Sequence, residues 1–573
     1  MHGSDSRVPR DNLSLVRGAD SPALIRLNFA QLLERQAKLH GQNIAILVNW
    51  TGARLTFDDL NRRTKVLARG LLAMGLRAGD RIAILSGDEE RYAELFFAAG
   101  RIGAILVVLN KMYTIQEIMR ALKYTEPKAF FIADLLNKEP VTPILEKLAT
   151  AEFQPQYTVL LRSDAVKDES LIRWEHVLEG ASSLPESELS RIEDSVDPDS
   201  IVNLQFTSGT TGAPKATMLS HYNIINNGFT IGSYLGFRPG DLLCCAPPLF
   251  HCFGLVVGLM AAFTNGAGTA FAGRDFDAAQ VVDVLTKERC TALHAVPTMY
   301  ISIMKQMDKL GITIETLRTG VAAGAKIPSA LLEEVQRKLG YEHIAITYGM
   351  TETSPASFMT EISDSQERKS KTVGRVLPHV TAKVVDKDGR IVPVGVRGEL
   401  CVSGYLLQKG YFRNPSKTTE VMIRDGNGVL WMHTGDEATI DEHGYCQITG
   451  RIKDIIIRGG ENIYPLEIEE RILRHKSIAN VSIVGLKDDR YGEAVAAFLT
   501  SRPGHLKPTH SEIRDWIQQD LGRHKAPQHV FWVGPGEMIQ EFPVTGSGKI
   551  KKNTLAEIGN KMIVGAEPIV SKL

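Results

Sequence analysis

The sequence has no excess of charge of either sign and no long hydrophobic run. Its 573 residues include 66 Lys and Arg and 66 Asp and Glu. A balanced charge gives no support for binding to nucleic acid or to an acidic membrane surface. The longest uninterrupted apolar stretch, residues 253–263, falls well short of the roughly 20 residues that span a bilayer. The sequence therefore predicts no membrane span and no nucleic-acid partner.

The N-terminal region lacks the apolar core of a secretory signal, and the cysteines lack a recognisable spacing. Residues 1–25 mix arginines with aspartates, so we expect a flexible tail. The six cysteines include no CxxC pair, which argues against a disulfide framework. Cys244, Cys245, His251 and Cys252 could suggest zinc, but they match no familiar zinc spacing and lie in an apolar segment. We expect buried structural cysteines in a reducing compartment.

Strand and helix patterns alternate along most of the chain and predict an α/β fold. Residues 56–74 carry apolar side chains at helical spacing, and residues 81–85 form a short apolar strand. Such alternation is typical of parallel sheets covered by helices. We expect a large N-terminal domain of mixed or parallel sheets at 26–450, with a small β-barrel-like subdomain after Val380. A small, mobile α+β C-terminal domain is expected at 451–570, joined by a hinge.

The strongest local signal is a run of glycine and hydroxyl residues directly after an apolar strand at 201–206. Residues 207–215 are Thr-Ser-Gly-Thr-Thr-Gly-Ala-Pro-Lys. Glycine lets a backbone approach a ligand closely, and N–H groups, hydroxyls and an ammonium group suit phosphate oxygens. The spacing is not that of a GxxxxGK[ST] loop, and the alternative is a flexible linker. We predict phosphate binding by Thr207, Ser208, Gly209, Thr210, Thr211, Gly212 and Lys215.

This loop resembles the signature of the adenylate-forming, or AMP-binding, superfamily, which includes acyl-CoA synthetases, peptide-synthetase adenylation domains and beetle luciferases. Further segments match the family in the same order, at residues 348–353, 434–436, 450–465 and 543–550. One departure is Ala216, which stands where the family usually has glycine. The chain is most similar to the acyl-CoA synthetase type, in particular to ligases of aryl or medium-chain acids.

The resemblance implies a set of ATP contacts beyond the phosphate loop. Tyr348 would lie against adenine, and the Asp436 carboxylate would accept hydrogen bonds from both ribose hydroxyls. Arg451 would also contact the ribose. The full set of additional nucleotide-binding residues implied in this way is Gly324, Ala325, Tyr348, Gly349, Asp436 and Arg451.

The resemblance also implies the catalytic groups and the second substrate. Thr351 would contact phosphate, and Glu352 with Thr211 would hold Mg²⁺, which favours carboxylate and phosphate oxygens. Lys549 would be the catalytic lysine of adenylation. Gly459 would line the path of coenzyme A, where a side chain would obstruct. Lys453 would be the hinge about which the C-terminal domain turns.

His251 falls in a segment, residues 248–254, that matches the family's acid-binding region. It is expected either to act on the substrate carboxylate or to serve only in packing. Both interpretations stay open at this point. The small residues around Gly324 would admit an aromatic or medium-chain acid.

We therefore predict an ATP-dependent acid–CoA ligase that forms an acyl-AMP and then an acyl-CoA thioester. The substrate is a small carboxylic acid, and the products are AMP and pyrophosphate. Two alternatives remain: a luciferase-like monooxygenase, and an enzyme that loads a carrier protein supplied separately. A non-catalytic relative is disfavoured because Tyr348, Glu352, Asp436, Arg451 and Lys549 are all present.

The sequence ends in Ser571-Lys572-Leu573. A terminal Ser-Lys-Leu is an address read by the peroxisomal import receptor. We therefore expect a peroxisomal enzyme that binds this receptor through residues 571–573. This location fits fatty-acid oxidation as well as secondary metabolism, and the sequence does not select between them.

Overall fold

The computed structural model describes residues 7–162, 165–166, 171–207, 215–324, 327, 329–459, 461–545 and 549–563. Its α-helices are α1 (Phe29–His40), α2 (Phe57–Ala73), α3 (Glu90–Arg101), α4 (Ile115–Thr125), α5 (Thr142–Ala149), α6 (Trp174–Glu179), α7 (Glu186–Ser195), α8 (His221–Tyr234), α9 (Ala261–Thr264), α10 (Ala278–Lys287), α11 (Pro297–Leu310), α12 (Ser329–Leu339), α13 (Gln366–Lys371), α14 (Pro415–Val421), α15 (Pro465–Leu473), α16 (His510–Gln518) and α17 (Lys552–Ile563).

The strands are β1 (Leu15–Arg17), β2 (Ile44–Val48), β3 (Ala53–Thr56), β4 (Arg81–Leu85), β5 (Ile105–Val108), β6 (Ala129–Ile132), β7 (Leu135–Leu136), β8 (Glu139–Pro140), β9 (Tyr157–Leu160), β10 (Ile172–Arg173), β11 (Ile201–Thr207), β12 (Lys215–Ser220), β13 (Leu242–Cys245), β14 (Gly268–Phe271), β15 (Ala292–Ala295), β16 (Thr319–Ala322), β17 (His343–Gly349), β18 (Ala356–Met359), β19 (Arg375–Val376), β20 (Val380–Val385), β21 (Gly398–Gly404), β22 (Met422–Arg424), β23 (Leu430–Ile440), β24 (Cys446–Arg451), β25 (Ile456–Arg458), β26 (Glu461–Ile463), β27 (Ile478–Asp488), β28 (Gly492–Ser501) and β29 (His529–Trp532).

Two large sheets and the helices around them confirm the predicted α/β fold. One sheet has the strand order β10-β9-β6-β4-β5-β11-β12, and the other has the order β19-β18-β17-β16-β15-β13-β14-β2-β3. The central strands of both sheets are parallel, and antiparallel strands such as β12 lie at their edges. The central strand β4 is buried on both faces, because helices cover a parallel sheet on both sides.

The predicted helix at residues 56–74 is confirmed as α2. Thr56 caps it, because the Asp59 N–H donates to the Thr56 hydroxyl at 3.1 Å and the Asp59 carboxylate accepts from the Thr56 N–H. The apolar residues at helical spacing face the core, and Leu60 and Leu67 are fully buried. Local capping and periodicity therefore sufficed to locate this helix.

The chain divides into two units. The first comprises residues 1–8, 16–382 and 402–432, and the second comprises 9–15, 383–401 and 433–573. The second unit contains the sheet β26-β25-β28-β27 with β29 beside β28, packed against α15, α16 and α17. The short strands predicted after Val380 correspond to β20, β21 and β24, which belong to a six-stranded sheet with β1, β22 and β23.

The N-terminal segment differs from the expected flexible tail. Leu15–Arg17 forms β1, and Val16 is only 1% exposed. Just before it, the Ser14 N–H donates to the Val392 carbonyl at 2.9 Å, and the Val384 N–H donates to the Ser14 carbonyl at 2.9 Å. A three-residue strand carries too short a pattern to be recognised in sequence, and here backbone pairing with distant strands supplies its stability.

Among the helices of the described part of the chain, none combines the length and apolar character needed to cross a membrane.

Candidate functional site

The two ends of the predicted phosphate loop face each other on neighbouring strands. Thr207 ends β11, Lys215 begins β12, and the two residues pair in register. The loop residues Ser208, Gly209, Thr210, Thr211 and Gly212 lie outside the described residues. Ala216, the departure from the family pattern, lies in β12 with its methyl group fully buried. It therefore occupies a strand rather than the loop.

Glu352 lies close to Thr207, where β11 ends. It sits in a short 3₁₀ turn, Thr351–Thr353, directly after β17, and is 6% exposed. Its Oε1 accepts a hydrogen bond from the Tyr411 hydroxyl at 2.8 Å and lies 3.4 Å from the Thr207 hydroxyl. The predicted magnesium ligand and the first residue of the phosphate loop therefore lie close together.

Tyr411 is a member of this site that the sequence analysis did not single out. The Met218 N–H donates to the Gly410 carbonyl, and the Phe412 N–H donates to the Ala216 carbonyl, so residues 410–412 run alongside β12. This places the Tyr411 ring 4.9 Å from the Lys215 ammonium. Burial and the Glu352 carboxylate raise the pKa of Tyr411, so its hydroxyl keeps its proton and donates.

The predicted adenine-binding residues lie at the end of β17. Tyr348 and Gly349 are its last residues, and the Tyr348 ring lies 6.3 Å from that of Phe358 on β18. A Cβ added to Gly349 would lie 1.7 Å from the Pro355 carbonyl oxygen, so only glycine fits this close backbone approach. Gly324 follows β16, while Ala325 lies outside the described residues.

His251 lies two residues before a buried π-helical stretch, Phe253–Met260. Its Nδ1 accepts a hydrogen bond from the Phe253 N–H at 3.1 Å, which assigns the proton of the neutral ring to Nε2. The next residue, Cys252, is fully buried, and its thiol donates a hydrogen bond to the Gln205 side-chain oxygen at 2.7 Å. His251 thus has a structural role just before this helix.

The remaining candidates belong to the second unit. Asp436 on β23 pairs in register with Arg451 on β24, and the Arg451 Nε lies 3.5 Å from the Asp436 carboxylate. The part of β23 that leads to Asp436 is held by two hydrogen bonds. The Asp436 N–H donates to the Thr434 hydroxyl at 3.1 Å, and the Gly435 N–H donates to Glu399 Oε1 at 3.1 Å. The two residues implied in ribose binding are therefore neighbours.

Lys549 is held by backbone contacts with Thr545. Its carbonyl accepts from the Thr545 N–H at 2.7 Å, its N–H donates to the Thr545 hydroxyl at 3.1 Å, and Val544 bridges to Ile550. The Lys549 residue is exposed. An exposed lysine whose backbone is held by neighbouring pairing suits delivery of positive charge to a ligand.

Gly459 adopts the left-handed conformation with φ +61°, and a Cβ added there would lie 3.4 Å from the Tyr491 ring. Its N–H donates to the Tyr491 carbonyl at 2.8 Å. Both the backbone angle and the aromatic neighbour favour glycine at this position.

The first unit therefore gathers a buried carboxylate, two hydroxyls and a lysine at the phosphate loop, and the second unit carries an aspartate–arginine pair and an exposed lysine. Such groups can bind a nucleotide and stabilise negative charge. Lys549, Asp436 and Arg451 were predicted. Tyr411 and Glu399 were not, because their importance depends on contacts between residues distant in sequence.

Two family models match the chain. The model of AMP-binding enzymes matches residues 33–412, and the model of the AMP-binding enzyme C-terminal domain matches residues 467–549.

Curated relatives match over nearly their whole length. The chain is 46% identical over 560 residues to "Acyl-CoA ligase sidI" of Beauveria bassiana, covering 98% of this chain and 96% of the relative. It is 45% identical over 565 residues to "Acyl-CoA ligase SID4" of Ajellomyces capsulatus, with the same coverage. Among solved structures, ATP-bound MatB from Rhodopseudomonas palustris is 27% identical with a TM-score of 0.78, covering 94% of this chain and 100% of that chain.

Proposed function

Because this chain belongs to the AMP-binding enzymes and is an ATP-dependent acid–CoA ligase that works through an acyl-AMP, we propose a role for each residue gathered above. The main observation that supports the proposal is the contact of Glu352 with Tyr411 and Thr207. Thr207 is paired with Lys215 on the neighbouring strand. This arrangement provides fixed hydrogen-bond donors and one buried carboxylate beside a loop rich in N–H groups.

In the first half-reaction, an oxygen of the substrate carboxylate attacks the α-phosphorus of ATP. A new P–O bond forms, the bond to the leaving pyrophosphate breaks, and acyl-AMP results. Negative charge grows on the phosphate oxygens in the transition state, so the ammonium groups of Lys215 and Lys549 contribute most by electrostatic stabilisation. Lys549 holds the carboxylate and the α-phosphate together, which also aligns the attacking oxygen.

Each part of the nucleotide has its own proposed set of ligands. Tyr348 and Gly349 offer an aromatic face and an open backbone for adenine, while Thr351 and Thr207 offer hydroxyls for phosphate. Asp436 accepts the ribose hydroxyls, and Arg451 lies beside it.

Mg²⁺ fits the donor set at Glu352, because a buried carboxylate and a hydroxyl are hard oxygen donors. Glu352 would hold the ion together with Thr211. When bound, Mg²⁺ neutralises phosphate charge. The Tyr411 hydroxyl bonds Oε1 of Glu352 and fixes the orientation of this carboxylate.

In the second half-reaction, the thiolate of coenzyme A attacks the acyl carbon. A C–S bond forms, the C–O bond to AMP breaks, and the thiol proton leaves to solvent. Gly459 keeps the approach of the pantetheine arm free of a side chain. His251 orients the acid with Nε2, since its Nδ1 is engaged by the Phe253 N–H.

The proposed reaction is tested by pyrophosphate release from the purified protein with ATP and Mg²⁺, over a panel of aryl, medium-chain and branched carboxylic acids. Each acid is assayed with and without coenzyme A. We expect at least one acid to give turnover that requires coenzyme A and yields its acyl-CoA thioester, because acyl-AMP alone stays bound and limits release to about one turnover.

Three other outcomes would contradict parts of this proposal. Multiple turnovers of acid-dependent release without any response to coenzyme A would favour a carrier-loading enzyme. Light with luciferin and ATP would favour the luciferase-like alternative. An absence of release with every acid in the panel would count against the residue roles proposed here.

We also propose that the protein is imported into peroxisomes through Ser571-Lys572-Leu573, which supports recognition by the import receptor. A fluorescent protein fused to the N-terminus of the full chain is expected to colocalise with a peroxisomal marker in fungal cells. Deletion of Leu573 should make the fluorescence diffuse.

The matched control for this deletion is Leu573→Met, which preserves an apolar last residue and should keep much of the punctate signal. Ligase activity in lysates should be the same for all three proteins. Persistent peroxisomal fluorescence without Leu573 would overturn the assignment to this tripeptide.

A further inference from the structure

Three metal-ligating side chains meet on adjacent strands of the second unit. Glu399 and Cys401 lie two residues apart on β21 and so share a face, and His433 lies on the neighbouring strand β23. Glu399 Oε2 lies 2.8 Å and Cys401 Sγ lies 3.5 Å from His433 Nδ1. One ligand atom from each residue lies within 4.8 Å of those of the other two. We call these residues the Glu399–Cys401–His433 cluster.

The donor set of this cluster suits a thiophilic divalent cation. Carboxylate oxygen, imidazole nitrogen and thiolate sulfur are the ligands that Zn²⁺ takes, whereas Mg²⁺ takes oxygens. In tetrahedral Zn²⁺ with Zn–S of about 2.3 Å and Zn–N of about 2.0 Å, sulfur and nitrogen lie about 3.5 Å apart. The Cys401 Sγ to His433 Nδ1 distance of 3.5 Å already has this value.

Two of the three side chains of the cluster are partly exposed to solvent. The Cys401 residue is fully buried, while the side chains of Glu399 and His433 remain 24% and 23% exposed. An ion seated on the sulfur would therefore face solvent between the other two ligands, where water can complete the tetrahedron. Three protein ligands with an open fourth position are typical of exchangeable zinc sites rather than closed structural ones.

We propose that the Glu399–Cys401–His433 cluster is a binding site for Zn²⁺ or a similar thiophilic divalent cation. On binding, the proton that His433 Nδ1 donates to Glu399 is lost from Nδ1, and the ring keeps a proton on Nε2 by exchange with solvent. Nδ1 and the freed carboxylate oxygen then bind the metal, and the Cys401 thiol proton is released to solvent.

Occupancy of the site disturbs the part of β23 that precedes Asp436. Glu399 bonds His433 with one oxygen and the Gly435 N–H with the other, so a carboxylate that turns toward a metal loosens its hold on Gly435. This consequence rests on the proposed function, in which Asp436 binds the ribose. Zn²⁺ therefore inhibits the ligase by raising KM for ATP more than it lowers kcat.

The binding step is tested without substrates, on the full chain, with Co²⁺ as a spectroscopic probe. A thiolate bound to Co²⁺ gives an intense charge-transfer absorption in the near ultraviolet that carboxylate and imidazole ligands do not give. The wild-type protein is expected to show this band at one Co²⁺ per chain, and Zn²⁺ should displace it. Cys401→Ser should lack the band, whereas Cys446→Ser, which removes another fully buried cysteine of the same unit, should keep it.

Equilibrium dialysis with Zn²⁺ gives a second readout. Cys401→Ser should bind at least about 10-fold more weakly than wild type, since even loss of an outer-shell partner costs about 10- to 100-fold. If the serine variant is poorly folded, Cys401→Ala keeps an uncharged side chain of smaller volume and serves in its place. A wild-type protein without the Co²⁺ band, or a band that survives in both Cys401 variants, would overturn the site.

The inhibitory consequence is measured separately, as KM for ATP against added Zn²⁺ at saturating Mg²⁺. Cys401→Ser is expected to keep basal activity, because Cys401 has no part in the proposed catalytic machinery, and to lose most of the Zn²⁺ sensitivity. Equal inhibition of wild type and Cys401→Ser would overturn the link to Asp436. Because the Co²⁺ band needs no turnover, failure of the ligase assay and failure of the metal site are distinguishable.

Discussion

Lys549→Ala is expected to slow pyrophosphate release by at least about 100-fold, the usual cost of removing one group that stabilises developing charge in a transition state. The hairpin from Val544 to Ile550 holds Lys549 through backbone bonds, which alanine preserves. The substitution at an exposed position should change the free energy of unfolding by no more than about 0.5 kcal/mol. The loss is therefore expected in kcat, with KM for ATP little changed.

Lys551→Ala is the matched control, because Lys551 is an exposed lysine two residues further along, and its backbone N–H bonds the Pro543 carbonyl in the same hairpin. Its rate should stay within about twofold of wild type. A further measurement isolates the step: conversion of chemically prepared acyl-AMP and coenzyme A to acyl-CoA should survive in Lys549→Ala. Pyrophosphate release at the wild-type rate by Lys549→Ala would contradict the proposed role of Lys549 in the first half-reaction.

Glu352→Gln is expected to lower kcat/KM for ATP by on the order of 100-fold and to raise the Mg²⁺ concentration needed for half-maximal activity. Glutamine keeps the size of the side chain and can still accept from the Tyr411 hydroxyl, which lies 2.8 Å from Glu352 Oε1. It lacks the negative charge that a hard divalent cation favours. The measurement is pyrophosphate release over a Mg²⁺ titration, with thermal unfolding as the check on folding.

Tyr411→Phe is a milder change at the same site, and its effect is compared with that of Glu352→Gln. It removes one hydrogen bond to a charged group, worth about 1.5 kcal/mol or more, so we expect a loss of roughly 10-fold with the Mg²⁺ dependence only slightly shifted. Since the ring remains beside Lys215, the aromatic contact is kept. Wild-type Mg²⁺ dependence in Glu352→Gln would contradict the assignment of Glu352 as a ligand.

The sequence predicted those parts of the fold that local patterns specify. Helix α2 is marked by its Thr56 cap and by apolar residues at helical spacing, and β4 by a short apolar run. The strand β11 was recognised as a short apolar run directly before the glycine- and hydroxyl-rich segment. In each case the signal lies within a few neighbouring residues.

The contacts that were not predicted join residues far apart in the chain. Tyr411 meets Glu352 across 59 positions, and Glu399 meets His433 across 34. Neither pair carries a local signature, because each depends on which strands become neighbours. Strand β1 was missed for a related reason, since a segment of three residues is stabilised by partners hundreds of positions away.

The pairing of Thr207 with Lys215 has an entropic consequence for ATP binding. The strands β11 and β12 pair continuously from Asn203 to Thr207, so folding of the sheet has already brought together the two ends of the seven-residue segment 208–214. Closing a free loop of that length would cost about 2 kcal/mol or more, from the (3/2)RT ln n relation. ATP binding therefore does not have to offset this loss of entropy. A larger part of the free energy of its contacts then contributes to the affinity for the triphosphate. Changes that weaken the hairpin far from any ligand contact, such as a proline in the middle of β12, should therefore weaken ATP binding as well as stability.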